Sequence, residues 1–315
     1  MLFINTTVYG IQLGLCYAII ALGMYIAYSV LDFPDLSSDG TFPLGGVVGT
    51  ILIYKASFPP FIALFGGFAS GMIMGAVTGI LHVKFGISKL LSGIIVMTAL
   101  LSGTLALTTV LTGNGFSTTN FSYTAYGFDG MFNDGYNVMS DGVIILLLLL
   151  IVVGAKVLLD LFFKTKLGFM LVATGCNETF VTSLGCNAGR YKILGLAIAN
   201  GLVGFGGALY AQLTMNYDNT SGTGKVVLSL ASVIIGLALF SKARRVKPTT
   251  AVIIGAIIYS LCLNYFTLLD KNGTYLKLMN ALSFALILII NRELEKRSRT
   301  SKGKIKEGEE STESI

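Results

Sequence analysis

The sequence predicts an all-α integral membrane protein, a polytopic bundle of eight to ten transmembrane helices with one broken or re-entrant segment. Three observations carry this expectation. Hydrophobic residues make up 54% and charged residues 12% of the 315-residue chain, and mean hydropathy is +0.77, whereas soluble domains are about a quarter charged. Several apolar runs exceed the roughly 18 residues needed to cross the hydrocarbon. The net charge of +6 sits at the edges of those runs and in the tail, so it points to a membrane and not to nucleic acid. The expected division is a membrane domain over residues 1–291 and a charged, disordered cytoplasmic tail over 292–315, poor in apolar residues.

The first span is expected from Thr7 to Val30, with Gly10, Gly14 and Gly23 allowing close helix contacts. The start, MLFINTTVYGIQLG, has no basic region, so the first span is expected to stay and not to be cleaved as a signal peptide. Residues 31–46, LDFPDLSSDGTFPLGG, then interrupt the apolar pattern with Asp32, Asp35, Asp39, Pro34 and Pro43. The continuation to Tyr54 is too short to span alone. A broken helix near the membrane interior fits, because irregular backbone survives there only when buried in protein or lining a cavity; a plain cytoplasmic turn is the alternative.

From Pro60 to His82 another span carries Gly67, Gly71, Gly75 and Gly79 on one face, the pattern of tight helix packing. His82, beside Lys84, reads as a membrane-edge residue. Leu90 to Leu111 follows, with Ser92, Thr98, Ser102, Thr104, Thr108 and Thr109 able to bond their own backbone or a neighbouring helix. Residues 113–141 contain no Lys or Arg and suit an external loop. Within the next span, Val143 to Phe163, Lys156 and Asp160 are spaced to pair and to reach the interface. Ile193 to Met215 places Asn200, Gly204, Ala208 and Gln212 on one face, which needs either a packing partner or a wet path. Val226 to Phe240, Thr249 to Leu268 and Leu276 to Ile290 complete the membrane part.

No enzymatic motif emerges. Residues 220–227, TSGTGKVV, superficially resemble a phosphate loop, but the spacing is wrong and Val226 follows Lys225 where Ser or Thr is required. The chain therefore shows no means of hydrolysing ATP. HExxH and GxSxG are absent, and the single histidine has no nucleophile motif to serve. Cys16, Cys176, Cys186 and Cys262 form no metal-ligand pattern, so neither a metal nor another cofactor is expected.

The most informative stretch is 164–192, KTKLGFMLVATGCNETFVTSLGCNAGRYK, too briefly helical to cross a bilayer. Asn177 is a good N-cap and Glu178 suits the first turn. Phe180, Val181 and Leu184 then share a face, and Gly185 supplies a left-handed stop. About two turns of amphipathic helix, roughly 12 Å long, would either dock a soluble motor or form an ordinary loop. Placing this stretch inside and alternating puts Lys84, Lys89, Lys164, Lys166, Arg190, Lys192, Lys242, Arg244, Arg245, Lys247 and the basic tail inside; only Lys55, Lys225, Lys271 and Lys277 fall outside. That bias predicts an external N-terminus and a cytoplasmic C-terminus.

These motifs carry a resemblance. Ala173 to Asn177 with Ser183 to Asn187, Leu31 to Leu36 with Asp39 to Gly45, Gly195 to Ala208, and Val233 to Phe240 together resemble the permeases of ABC importers. The group is that of branched-chain amino-acid permeases, and within it the tryptophan/tyrosine-type subgroup; the similarity spans roughly residues 8 to 290. It implies a multi-pass permease in a bacterial inner membrane, importing a small solute such as an aromatic or branched-chain amino acid. The implied partners are an ABC ATPase subunit that binds the ATP, an extracellular or periplasmic substrate-binding protein docking on the external loop, and a second permease copy as a homodimer. The coupling residues would be Gly175, Asn177, Glu178, Phe180, Val181, Leu184 and Gly185. For the substrate path the candidates are Asp35, Ser38, Asp39, Asn200 and Gln212. The alternative function is an ion-coupled secondary transporter, in which Asp32, Asp35 and Asp39 bind a cation.

Overall fold

The computed structural model describes residues 2–112, 120–122, 131–134, 137–138, 140–240 and 246–269, together with 282 and 285. The expected span from Leu276 to Ile290 and the tail therefore lie outside the described residues, apart from two single positions. The described chain is an all-α polytopic membrane protein. Its helices are α1 (Leu2–Met24, continued by a π-helical turn Tyr25–Val30), α2 (Ser37–Tyr54), α3 (Pro60–Val83), α4 (Lys89–Thr112) and α5 (Asp141–Lys164). After these come α6 (Lys166–Cys176), α7 (Glu178–Ser183), α8 (Ala188–Leu213), α9 (Lys225–Leu239) and α10 (Pro248–Leu269). Among the described residues, seven helical stretches are long and apolar enough to cross a membrane: Phe3–Val30, Pro60–Val83, Lys89–Leu111, Asp141–Lys164, Ala188–Leu213, Asn219–Leu239 and Pro248–Phe266.

The interruption after the first span is shorter than its sequence implies. Helix stops at Val30 and restarts at Ser37, and the new helix runs through Pro43 to Tyr54. A mid-helix proline leaves the carbonyl four residues earlier without its helical donor. Here that carbonyl belongs to Asp39, and the backbone of Gly222 comes so close to it that a Cβ there would collide. The gap left by Pro43 is thus where a second irregular stretch, residues 214–224, enters the bundle.

That stretch carries one of the few strand pairings. β1 (Asn120–Ser122) pairs antiparallel with β4 (Asn216–Asp218), and β2 (Asn133–Asp134) with β3 (Asn137–Val138). The first pairing sets Asn120–Ser122 against the chain leaving α8, at the end of the bundle opposite α7. At the same end Gln12 Nε2 donates to Asp141 Oδ1 at 3.1 Å.

The core forms where small residues let backbones meet. Along α3, Gly67, Gly71, Gly75 and Gly79 lie against Gly204, Asn200, Leu196 and Ile193 of α8, and an added Cβ at any of them would strike α8. From the other side, Gly45 and Gly49 of α2 meet Gly204 and Ala208. The small stripe of α8 is therefore sandwiched between α2 and α3. With lipid outside and no hydrophobic drive between helices, such close packing is what holds spans together. Overpacking it costs about 1–3 kcal/mol or more. Gly71→Val is accordingly expected to lower the thermal midpoint of the detergent-solubilised protein by about 5 °C or more. Gly103→Val, at a glycine whose Cβ would meet nothing within 4 Å, is the control that leaves it unchanged.

Most hydroxyls of α4 bond their own helix, as expected for Ser92, Thr98, Thr104, Thr108 and Thr109. Thr104 also donates to Asn219 Oδ1 across to the irregular stretch. Lys156 and Asp160 pair at 3.2 Å, and Asp160 additionally takes Lys247 Nζ at 2.9 Å and Thr249 Oγ1 at 2.8 Å. The carboxylate thereby ties α5 to the start of α10.

Candidate functional site

Two places concentrate the polar chemistry. The first is the α6–α7 elbow. Asn177 accepts from Phe180 N at 3.1 Å through its side chain and so starts α7. Gly185 ends the turn at φ 75°, a left-handed conformation that favours glycine. Gly175 packs directly on the backbone of Val30 and Leu31, so the elbow rests on the end of the first span. Glu178 pairs with Lys192 of α8 at 2.6 Å.

The faces of α7 differ from the simple amphipathic expectation. Val181 is fully buried, while Phe180 and Leu184 are 53% and 56% exposed. Being four residues apart, these two form one outward apolar face, and Val181 is the peg that anchors the helix inward. The helix is six residues long, shorter than expected. Beside it lies an open groove of about 670 Å³, lined by His82, Glu178, Thr182, Asn187 and Lys192 among others. His82 is held by a 2.7 Å bond from its Nδ1 to Ile87 O and by the edge of Phe33.

The second place is the break before α2. Asp35 is 1% exposed and Asn200 fully buried. Asn200 Nδ2 donates to Asp35 Oδ2 at 2.6 Å, and Ser37 N donates to Asp35 Oδ1 at 2.9 Å. Ser37 and Ser38 both donate to Asn200 Oδ1, at 3.3 and 3.4 Å. A buried carboxylate is costly unless its oxygens are hydrogen-bonded, and here each oxygen has a donor. Asp35, Ser38 and Asn200 thus come together, joined by Ser37, which the sequence did not single out.

Asp39 does not join them. Its carboxylate accepts from Val226 N at 2.8 Å and Gly224 N at 3.3 Å, capping the start of α9. Gln212 lies elsewhere again: its Nε2 donates to Pro60 O at 3.1 Å and its Oε1 accepts from Met131 N at 3.3 Å, at the end opposite α7. Asp32 turns outward, 86% exposed, and pairs with Lys89 at 3.8 Å. The three carboxylates of the 31–46 stretch therefore point three ways, and no group of three or more metal-ligating side chains exists among the described residues. The three do not converge on one site.

The sequence also misplaced Lys225. Counted among the loop lysines, it is instead the first residue of α9, and its Nζ lies 4.3 Å from the ring centroid of Tyr17, 4.9 Å from that of Tyr210 and 5.6 Å from that of Phe42. The rings come from three different helices, so spacing along the chain gave no signal of it.

Comparison with known proteins agrees with this architecture. The family described as "Branched-chain amino acid transport system / permease component" matches residues 6–291. The chain is 39% identical over 269 residues to a tyrosine transport system permease protein of Clostridioides difficile, covering 85% of each. It is 27% identical over 310 residues to an uncharacterized protein of Rickettsia prowazekii, covering 93% of this chain and 99% of that one. To a ribose import permease protein of Escherichia coli it is 25% identical over 278 residues, 88% of this chain and 82% of the relative. A bundle of apolar spans with a short polar elbow and a family match over nearly its whole length lead to one conclusion: the chain belongs to this permease family, the membrane-spanning subunits of ABC importers, which carry no ATPase site of their own.

Proposed function

We propose that this permease imports an aromatic amino acid of the tyrosine class, driven by ATP that a separate ATPase subunit binds and hydrolyses at α7. The observation that carries the mechanical part is the outward Phe180–Leu184 face on a helix pegged by Val181 and joined directly to α6, whose Gly175 packs on Val30. A partner closing on that face pushes on the end of the first span and, through Glu178 and Lys192, on α8. Both spans then tilt as rigid bodies, which is the form alternating access takes. The groove beside α7 gives the partner a recess. The solute class rests on the similarity to the tyrosine permease.

In this reading Lys84, Lys89, Lys164, Lys166, Lys192 and Lys247, gathered at the α7 end, face the cytosol. The N-terminus is external, and a binding protein docks on the 113–141 connection. Two copies enclose the path in a bacterial inner membrane, and α2 with the span the sequence predicts at Leu276 to Ile290 brings the count into the range of eight to ten. Residues 31–36 are the break, and α2 is the re-entrant element. Asp39 borders the path; Asp35, Ser38 and Asn200 hold its joint, Gln212 closes its outer end, and the glycine stripe of α3 keeps α8 in place.

The test is reconstitution. Proteoliposomes holding the permease, its ATPase and its binding protein are expected to accumulate labelled tyrosine only with ATP inside the ATPase compartment. Accumulation driven by a proton or sodium gradient without ATP overturns the reading.

A further inference from the structure

Lys225 is an unusual residue for an apolar bundle. It follows Gly224, whose φ of 82° turns the chain into α9, and its side chain is drawn inward under three rings. Nζ donates to Tyr17 Oη at 2.7 Å. Tyr17 and Tyr210 stack at 6.0 Å, and Phe42 tilts against Tyr210 at 5.4 Å. Among the described residues no carboxylate stands within 4.0 Å of Nζ. Asp39, the nearest acidic neighbour along α2, spends its oxygens on the backbone of Gly224 and Val226.

An ionisable side chain drawn in among the helices of an apolar bundle is costly and marks a candidate functional site. Cation–π contacts return about 0.5–2 kcal/mol each, enough to hold the ammonium but not to neutralise it. One of its three donor protons is used on Tyr17, and two remain. The lysine is only partly buried, and Thr223 and Gly224 beside it are exposed, so the cage has a mouth. An ammonium with Asp39 and Asp218 in its neighbourhood but no carboxylate in direct contact among the described residues, walled by flat aromatic faces and open on one side, complements a small molecule that joins a carboxylate to an apolar or aromatic body.

We propose that Lys225 is the carboxylate-recognising residue of the transport path, with Tyr17, Tyr210 and Phe42 forming the wall for the side chain of the passing amino acid. The inference rests on the importer reading above and deepens it. The α-carboxylate pairs with Nζ, and the solute's apolar part slides over the rings. Because the site is formed by α1, α2, α8 and α9 together, tilting α1 and α8 through the elbow opens or closes it.

The reconstituted complex separates this role from a structural one, with labelled tyrosine as probe and two quantities read together: ATPase stimulation by loaded binding protein, and tyrosine delivered per ATP hydrolysed. Lys225→Gln is expected to keep the stimulation and deliver at least tenfold less tyrosine per ATP. Lys225→Arg, which retains the charge, is expected to stay within about twofold to threefold of the unaltered protein. Three results overturn the proposal: Lys225→Gln delivering normally, Lys225→Arg failing as badly as Lys225→Gln, or Lys225→Gln losing assembly and stimulation together, which makes the lysine a packing cation. Failure of the importer reading looks different, because the unaltered complex then delivers no tyrosine with ATP.

Discussion

Phe180→Asp combined with Leu184→Asp is expected to abolish ATP-driven uptake while leaving the permease folded in the membrane. Both side chains are more than half exposed, so nothing in the chain's own packing depends on them. They form the exposed apolar face of α7. Anchors of this kind carry about 2 kcal/mol or more each at an interface, and placing two carboxylates there adds desolvation to the loss. Together the changes weaken ATPase binding by about three orders of magnitude. The check is co-purification of the ATPase with the tagged permease, run alongside uptake. Retained co-purification with normal uptake places the docking surface elsewhere. Val181→Asp is the contrasting variant: it buries a charge under α7, and the elbow itself unfolds.

Asn200→Ala is the second large effect. It removes the side-chain donor from the Asp35 carboxylate and the acceptor for Ser37 and Ser38. Losing a hydrogen bond to a buried charged group costs about 1.5–3 kcal/mol, here at the joint between the first span and α2. The thermal midpoint of the solubilised protein is expected to fall by about 10 °C. Adding Asp35→Asn recovers part of this, because the uncompensated charge is gone. A loss in the double variant equal to the sum of the two single losses contradicts a shared joint. The joint also reaches α4, because Asp35 lies against Gly93, so loosening it disturbs the start of α2 against both α8 and α4.

Much of this was legible in the sequence. Apolar runs and the placement of Lys and Arg give the spans, and Asn177 and Gly185 bracket α7 by cap chemistry alone. The four-residue glycine repeat of α3 and the matching stripe of α8 announce close packing because both follow from helical periodicity. What periodicity does not encode is pairing across elements. Asp35, Ser38 and Asn200 were named as one set with Asp39 and Gln212, yet distance along the chain says nothing about which side chains meet. Asp39 caps α9 and Gln212 closes the opposite end. Lys225 was invisible for the same reason: its cage draws one ring each from α1, α2 and α8. The break before α2 is shorter than the carboxylates, prolines and glycines of 31–46 imply, because the helix runs through Pro43 and a turn around Gly222 fills the gap the proline leaves.

In the proposed mechanism, force enters this bundle through α7. A photo-crosslinking amino acid at position 180, in membranes holding the assembled transporter, tests it most directly. The account predicts a covalent adduct to the ATPase subunit whose yield changes when ATP is added. An adduct only to lipid or to the external binding protein, or none that responds to ATP, contradicts it.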